Sequence, residues 1–213
     1  MRKQILRLIR DILIIEIGLM VSSFGTALFY AADLGSGAMA TFSDGLHRVA
    51  GISYGQANMA ANVVLLFVLL VLDRKYINVG TLLCVFTIGL WVDLFNGVLS
   101  GVDAARLNMA VRVLMSVAGS ALMGFGLGIY VAIGRGLGAL EGLVKVVCGR
   151  TRVSMRAAKI VQDALLVVLG VVMGAAWGVG TLIAIVMTGP VLQESCRRFE
   201  ALFARLFPKP AAA

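Results

Sequence analysis

Two copies of one stretch decide the fold: residues 24–38 read FGTALFYAADLGSGA, and residues 125–139 read FGLGIYVAIGRGLGA. Phe125 follows Phe24 by 101 positions, and the glycines near the end of each stretch keep the same spacing. In each copy an apolar helical segment runs into a glycine-rich turn, where glycine supplies the backbone freedom that ends a helix. The polar segment after each turn has only about 15 residues, fewer than the roughly 20 that cross a bilayer. Each is predicted to be a short helix that lies in the interface or re-enters the membrane.

Further matches at this offset extend over most of the chain. Glycine matches carry the argument, because matches of leucine with leucine mean little in so apolar a sequence. The pairs include Gly18 with Gly119, Gly25 with Gly126, Gly35 with Gly136, Gly37 with Gly138, Ser53 with Ser154 and, after one residue is dropped, VGTL at 79–82 with VGTL at 179–182 and Gly89 with Gly189. The chain is therefore predicted to contain an internal duplication, with repeat 1 at about 11–99 and repeat 2 at about 110–196.

The composition indicates an integral membrane protein. Hydrophobic residues make up 60% of the 213 residues and charged residues only 14%, which is more apolar surface than one soluble core could bury. Six runs have the length of a crossing, and each must be helical because a lipid-exposed backbone has no water to bond with. They are residues 12–32, 54–72, 79–99, 110–133, 157–173 and 175–192.

The net charge of +8 is explained by membrane orientation rather than by nucleic acid, because the basic residues lie between apolar runs. With the amino terminus in the cytoplasm, six crossings leave 16 of the 19 Lys and Arg residues on the cytoplasmic side. Only Arg48, Arg106 and Arg112 fall outside. Both termini are therefore expected to be cytoplasmic.

The predicted fold is an all-α integral membrane protein with six transmembrane helices. Each repeat has three crossings and one extra short interfacial or re-entrant helix, and an odd number of crossings places the second repeat upside down. This is an inverted 3+3 repeat. Residues 1–196 are expected to form a single membrane domain, and residues 197–213 a cytoplasmic amphipathic tail with an apolar stripe of Phe199, Leu202, Phe203 and Leu206. Docking of that tail on a partner is the alternative.

Intramembrane polar residues are the first candidates for a substrate or ion path. Asn62 and Asp163 occupy equivalent positions, about two turns into the second span of each repeat. An ionisable group at such a depth costs on the order of 2.5–3.5 kcal/mol and is a functional candidate by default. The alternative is structural: Lys159 lies four residues before Asp163, so the two could form an intrahelical ion pair.

Asp93 is a further path candidate, because it lies deep in the third span with Asn96 on the same helical face. Glu16, about one turn into the first span, is better explained as a helix-pairing or snorkelling residue.

The glycine turns themselves could bind a ligand. Gly35 with Gly37, and Gly136 with Gly138, would expose the free N–H groups of a short helix at the membrane mouth, where they could hold an anion or a carboxylate. The alternative is that these small residues only allow a tight turn and close helix packing.

The chain is not predicted to be an enzyme, to bind a cofactor or to hold a metal. Residues 51–55 (GISYG) have the spacing of a serine-hydrolase motif, but the only histidine, His47, lies six residues before Ser53. Ser53 is better explained as the N-cap of the next helix, forming a capping box with Gln56. Three cysteines far apart in the sequence, Cys84, Cys148 and Cys196, provide neither a disulfide framework nor a zinc site.

The two glycine turns, Gly45-Leu46, residues 51–55 and the twice-used VGTL resemble the YczE/YyaS/YitT group of bacterial multi-spanning membrane proteins. The resemblance covers about residues 17–192 and implies a bacterial cytoplasmic (inner) membrane location. The family pattern has a proline and an acidic residue soon after each glycine turn, whereas this chain has AMA at 38–40 and ALE at 139–141. Only Glu141 keeps the carboxylate, which makes it a path candidate.

The leading functional hypothesis is a small secondary transporter or channel-like permease. Its path would run between the inverted repeats, lined by Asn62, Asp163 and Asp93, with the glycine turns as gates. The expected partners are the lipid bilayer and a small-molecule or ion substrate, while the sequence leaves the oligomeric state open. Two alternatives stand beside it: a substrate-capture subunit of a multi-component importer, and a non-transporting accessory or assembly membrane protein.

Overall fold

The computed structural model describes residues 2–136, 138–151, 153 and 155–206. Within these ranges the regular structure is entirely helical. The α-helices are α1 (Arg2–Ala32), α2 (Ala38–Ala50), α3 (Tyr54–Leu72), α4 (Val79–Val98), α5 (Met109–Ala132), α6 (Ala139–Arg150), α7 (Met155–Val172) and α8 (Val179–Leu206). Short 3-10 turns, Arg74–Tyr76 and Ala104–Arg106, lie in the α3–α4 and α4–α5 connections.

Five of these helices, α1, α3, α4, α5 and α8, are long and apolar enough to cross a membrane. The predicted short helices are also present: α2 has 13 residues and α6 has 12, about 20 Å each at 1.5 Å per residue. The remaining helix, α7, has 18 residues, and its sequence carries three charges, Arg156, Lys159 and Asp163.

The centre of the molecule is the seam between α1 and α5, formed by Gly18, Gly25, Gly119 and Gly126. A Cβ atom added to Gly18 would lie 2.7 Å from the backbone oxygen of Gly126, and one added to Gly25 would lie 2.6 Å from that of Gly119. Because the later residue of α1 meets the earlier residue of α5, the two helices run antiparallel. Small residues allow this close backbone approach, as is common between membrane helices.

Each glycine turn is held by the other half of the chain. The N–H of Gly180, at the start of α8, donates to the carbonyl of Leu34 at 2.8 Å. The N–H of Gly80, at the start of α4, donates to the carbonyl of Arg135 at 3.0 Å. The turn after α1 therefore contacts α8, and the turn after α5 contacts α4.

Four helices, α2, α3, α6 and α7, form a ring in which each contacts the next and the last contacts the first. At the α2–α7 contact, a Cβ atom on Gly170 would lie 2.5 Å from the backbone oxygen of Thr41. At the α3–α6 contact, a Cβ atom on Gly142 would lie 2.6 Å from Leu69 Cδ2. Gly142 stands 101 positions after Thr41, and Gly170 stands 101 positions after Leu69. The α2–α7 and α3–α6 contacts are therefore the same contact with the two repeats exchanged.

The carboxyl-terminal segment continues the last long helix. The sequence predicts a span that ends at Leu192 and a separate tail helix, whereas α8 runs unbroken from Val179 to Leu206. Glu194 explains the continuity, because it pairs with Arg197 at i+3 and Arg198 at i+4 across the expected junction. The rest of the predicted tail, 207–213, lies outside the described residues.

Candidate functional site

The inward face of α3 carries two asparagines. Asn58 is 5% exposed and Asn62 is 7% exposed. The Nδ2 group of Asn62 donates to Asn58 Oδ1 at 2.8 Å and to the Asn58 carbonyl at 3.0 Å. Buried amides need such partners, so the predicted path residue Asn62 is satisfied within its own helix.

The equivalent pair on α7 is charged. Lys159 Nζ lies 2.9 Å from Asp163 Oδ1, and the two residues stand 101 positions after Asn58 and Asn62. The intrahelical ion pair considered from the sequence is therefore present. Asn62 and Asp163 form no hydrogen bond with each other, so each predicted path residue keeps a partner on its own helix.

The Lys159 and Asp163 side chains of α7 are 41% and 32% exposed. Its strongly exposed side chains are apolar: Ile160, Val161, Leu165, Val168 and Val172 are each at least 58% exposed. Leu166, one turn after Asp163 on the same face, is buried. Because these apolar side chains are more exposed than Lys159 and Asp163, α7 has the opposite pattern to a water-soluble amphipathic helix.

Glu141 lies in the first turn of α6, close to that ion pair. The charges of Glu141 and Asp163 both act on Lys159. Gln162 also joins α7 to α6, since its Nε2 donates to the Leu140 carbonyl at 3.2 Å. The charge of Glu141 on α6 therefore acts on the Lys159–Asp163 ion pair of α7.

Asp93 has a partner set that the sequence did not predict. Its carboxylate accepts a hydrogen bond from Ser53 Oγ and another, at 2.7 Å, from the N–H of Gly55. Ser53 and Gln56 also form the predicted capping box. Asp93, on α4, thus stabilises the amino-terminal end of α3, and the serine of the second copy, Ser154, lies outside the described residues.

The glycine turns have the backbone geometry that their sequence predicts. Gly35 has φ +85° and Gly136 has φ +130°, values that residues with a Cβ atom rarely adopt. Gly37 and Gly138 are the N-caps of α2 and α6, and as glycines they have no side chain to accept a capping hydrogen bond. Because α1 and α5 are antiparallel, Gly35 and Gly136 lie at opposite ends of the α1–α5 seam.

Glu16 connects α1 to α4. Its Oε2 accepts a hydrogen bond from Trp91 Nε1 at 3.0 Å, while its buried Oε1 has no hydrogen-bond partner among the described residues. This contact agrees with the helix-pairing role considered for Glu16.

A polar cluster around α2 was missed in the sequence. Asp44 is 4% exposed and accepts 2.9 Å hydrogen bonds from Arg48 Nε and from the N–H of Ala176. The bond with Asp44 raises the pKa of the Arg48 guanidinium. Tyr54 stacks on Tyr30 at 4.1 Å between ring centroids. A cavity of about 20 Å³ between these groups has room for one water molecule.

Only part of this α2 cluster had a signal in the sequence. Asp44 and Arg48 have the i, i+4 spacing of a helical ion pair. Tyr30 and Ala176 come from distant positions in the chain, and the α1–α2 turn and the α7–α8 connection bring them to this cluster. No local sequence pattern predicts their contacts with it.

Two ionic clasps close the ends of the α1–α5 seam. In the Asp11 clasp, Asp11 is 5% exposed and contacts Arg135 Nη2 at 2.8 Å and Arg10 Nη2 at 2.6 Å. In the Arg112 clasp, Arg112 donates to the carbonyls of Ala32 at 2.7 Å and Asp33 at 2.6 Å. Arg112 follows Asp11 by the repeat offset of 101 positions, and this spacing is the signal in the sequence that links the two clasps.

The chain belongs to a protein family whose description reads "Family of unknown function (DUF6198)", since that family's model matches residues 9–196. The "Uncharacterized membrane protein YczE" of Bacillus subtilis (strain 168) is 25% identical over 179 residues, 84% of this chain and 81% of the relative. The "Uncharacterized protein YyaS" of the same organism is 24% identical over 177 residues, 83% and 87% of the two chains. These relatives confirm the resemblance seen in the glycine turns.

A third relative, an "Uncharacterized protein" of Haemophilus influenzae (strain ATCC 51907 / DSM 11121 / KW20 / Rd), is 24% identical over 184 residues, 86% of this chain and 82% of the relative. No solved structure matches the chain. With five apolar helices of crossing length and a relative named as a membrane protein, the chain is a membrane protein.

Proposed function

We propose that this family member is an inner-membrane permease that passes a small polar solute or an ion through the four-helix ring. One observation carries the proposal: two half-length helices, α2 and α6, pack with α3, which carries the buried Asn58 and Asn62, and with α7, which carries the Lys159–Asp163 ion pair. Short or broken helices beside polar and charged groups are typical of transporter binding sites. The path would run between two helices of each repeat, past Asn62, Asp163 and Glu141.

The proposal includes six crossings arranged as an inverted 3+3 repeat. Antiparallel packing of α1 and α5, the first helices of the two repeats, supports the inversion. For the sixth crossing, α7, the support is its exposed apolar face, with Lys159 and Asp163 neutralising each other as an ion pair. Six crossings place both termini in the cytoplasm, in agreement with the positions of the basic residues.

The proposed roles of the candidate residues differ. Asp163 and Lys159 would exchange their mutual ion pair for contacts with the solute, since a buried charge needs a partner at every stage. Glu141 would draw cations or protons toward the pair. Asp93 would hold α3 in place by capping its amino-terminal end, and Gly35 and Gly136 would provide the moving turns at the two mouths.

The permease is tested with purified protein in liposomes. We expect Asp163→Asn to lower flux at least tenfold, because Lys159 then keeps an uncompensated charge at the path. Flux is measured for protons with a pH-sensitive dye and for K⁺, Na⁺ and small neutral osmolytes by light scattering. The matched control is Asp103→Asn, which removes the same charge from an exposed loop pair with Arg106, and it should leave flux unchanged.

Thermal unfolding of each variant separates lost flux from lost folding. Folded Asp163→Asn protein with wild-type flux would rule out the role of Asp163. If liposomes containing the wild-type protein pass none of the probes, that result would contradict permeation of these solutes by the isolated chain.

A non-transporting accessory protein is the second candidate, and one observation favours it. The α1–α5 seam is closed by backbone contact. Neither the α2 cavity nor a groove between α5 and α8, beside Phe125 and Pro190, is lined by Asn62, Asp93 or Asp163. Co-purification with other membrane subunits, together with absent flux, would support this role or that of an importer subunit.

A further inference from the structure

A groove of about 450 Å³ lies between α5 and α8, away from the four-helix ring. Its apolar lining comes from Phe125, Pro190, Val191 and Phe199, and Glu194 and Arg198 line its polar part. Volumes of this size and mostly apolar walls are typical of sites that enclose a small ligand.

The groove opens toward the lipid. Phe125 is 41% exposed, and a Cβ atom added to Gly189 would meet nothing within 4 Å. On the preceding turns of α8, Leu182, Ile185 and Val186 are 60–68% exposed. An apolar cleft on such a surface is within reach of the acyl chains of the bilayer.

The charged residues beside the groove, Glu194, Arg197 and Arg198, replace the uncharged Leu94, Gly97 and Val98 at the end of the equivalent helix in repeat 1. The equivalent helix, α4, ends at Val98, which corresponds to Arg198. Beyond this point α8 continues to Leu206. Arg197 and Arg198 are 78% and 77% exposed and share Glu194 as their partner, so the three residues carry a net charge of +1.

We infer that this groove binds one anionic phospholipid. An acyl chain lies along Phe125, Pro190 and Val191, and the phosphate lies beside Arg197 and Arg198. The depth fits, because Arg197 and Arg198 follow Pro190 and Val191 by two helical turns, or roughly 10 Å, as a headgroup follows its chain. Arginine suits a phosphate oxygen, to which it can donate two hydrogen bonds.

Native mass spectrometry of the purified protein tests this inference. The protein is titrated with phosphatidylglycerol and, separately, with phosphatidylcholine carrying the same acyl chains. We expect one phosphatidylglycerol to bind about fivefold more tightly than phosphatidylcholine, the gain for one net basic charge near an anionic lipid. The double variant Arg197→Gln with Arg198→Gln should lose this preference.

A matched control removes two exposed basic residues elsewhere, Arg74→Gln with Lys75→Gln, and should keep the fivefold preference. Val191→Trp, which fills the groove, should weaken binding of both lipids at least fivefold. Equal affinity of the wild type for the two lipids, or a preference that persists without Arg197 and Arg198, would overturn the inference. Unchanged binding by a folded Val191→Trp protein would also overturn it.

Discussion

Gly25→Ala is expected to separate α1 from α5 and to destabilise the protein by about 3 kcal/mol, the upper part of the range for overpacking. The added methyl group would lie 2.6 Å from the Gly119 carbonyl oxygen and 2.7 Å from the Met123 nitrogen. Both atoms belong to the backbone of α5, so no side-chain rotation relieves the clash. Unfolding in mixed micelles by titration with SDS measures the free-energy difference.

The matched control is Gly97→Ala, the same change in a helix where a new Cβ atom meets nothing within 4 Å. It should leave stability nearly unchanged. Gly119→Ala, whose Cβ atom would lie 2.8 Å from the Gly25 carbonyl oxygen, should behave like Gly25→Ala. Equal stability of the Gly25 and Gly97 variants would show that the α1–α5 seam does not hold the fold together.

Asp11→Asn is expected to cost about 2 kcal/mol. Asp11 is 5% exposed and its carboxylate contacts both Arg135 and Arg10, so the amide removes the negative charge that lies between the two guanidinium groups. Breaking a fully buried pair costs about 3–5 kcal/mol. The expected cost for Asp11→Asn, about 2 kcal/mol, is below this range because solvent reaches the side chain of Arg135, which is 42% exposed.

A double-mutant cycle separates the ion pair from other effects of the substitution. We expect Asp11→Asn combined with Arg135→Gln to cost less than the sum of the two single changes, because the second change removes a charge that the first left unpaired. Asp103→Asn, in an exposed pair with Arg106, should cost less than about 1 kcal/mol. Strict additivity of the Asp11 and Arg135 changes would contradict the clasp.

Features with a local or periodic signal could be predicted from the sequence. The ordered glycines predicted the turns at Gly35 and Gly136, because a positive φ excludes most other residues. The length and polarity of the segments after them predicted short helices. The serine and glutamine at 53 and 56 predicted a capping box, and the i, i+4 spacing of Lys159 and Asp163 gave an ion pair as the structural alternative.

Features made by contacts between distant elements could not be predicted in this way. In the sequence, Asp93 is a carboxylate within an apolar span. Only the packing of α4 on α3 gives it Ser53 and Gly55 as partners. The Asp11 clasp joins Asp11 to Arg135, which lies 124 positions later in the chain. The α2 cluster depends on the α7–α8 connection reaching Asp44, and nothing near Asp44 in the sequence records that contact.

The inverted arrangement depends on six crossings, and α7 is the one proposed crossing outside the five described helices that are long and apolar enough to cross a membrane. Lys75, in the α3–α4 connection, and Trp177, in the α7–α8 connection, are near-equivalent loop residues that are 65% and 71% exposed. Three proposed crossings, α4, α5 and α7, separate them.

The direct measurement is labelling of Lys75→Cys and Trp177→Cys by a membrane-impermeant maleimide, in a background with Cys148 and Cys196 replaced by serine. Intact spheroplasts expose the outer face, and inverted vesicles expose the cytoplasmic face. The account predicts that the Trp177 variant is labelled only in spheroplasts and the Lys75 variant only in inverted vesicles. Labelling of both variants from the same side would contradict the crossing of α7 and the inverted repeat with it.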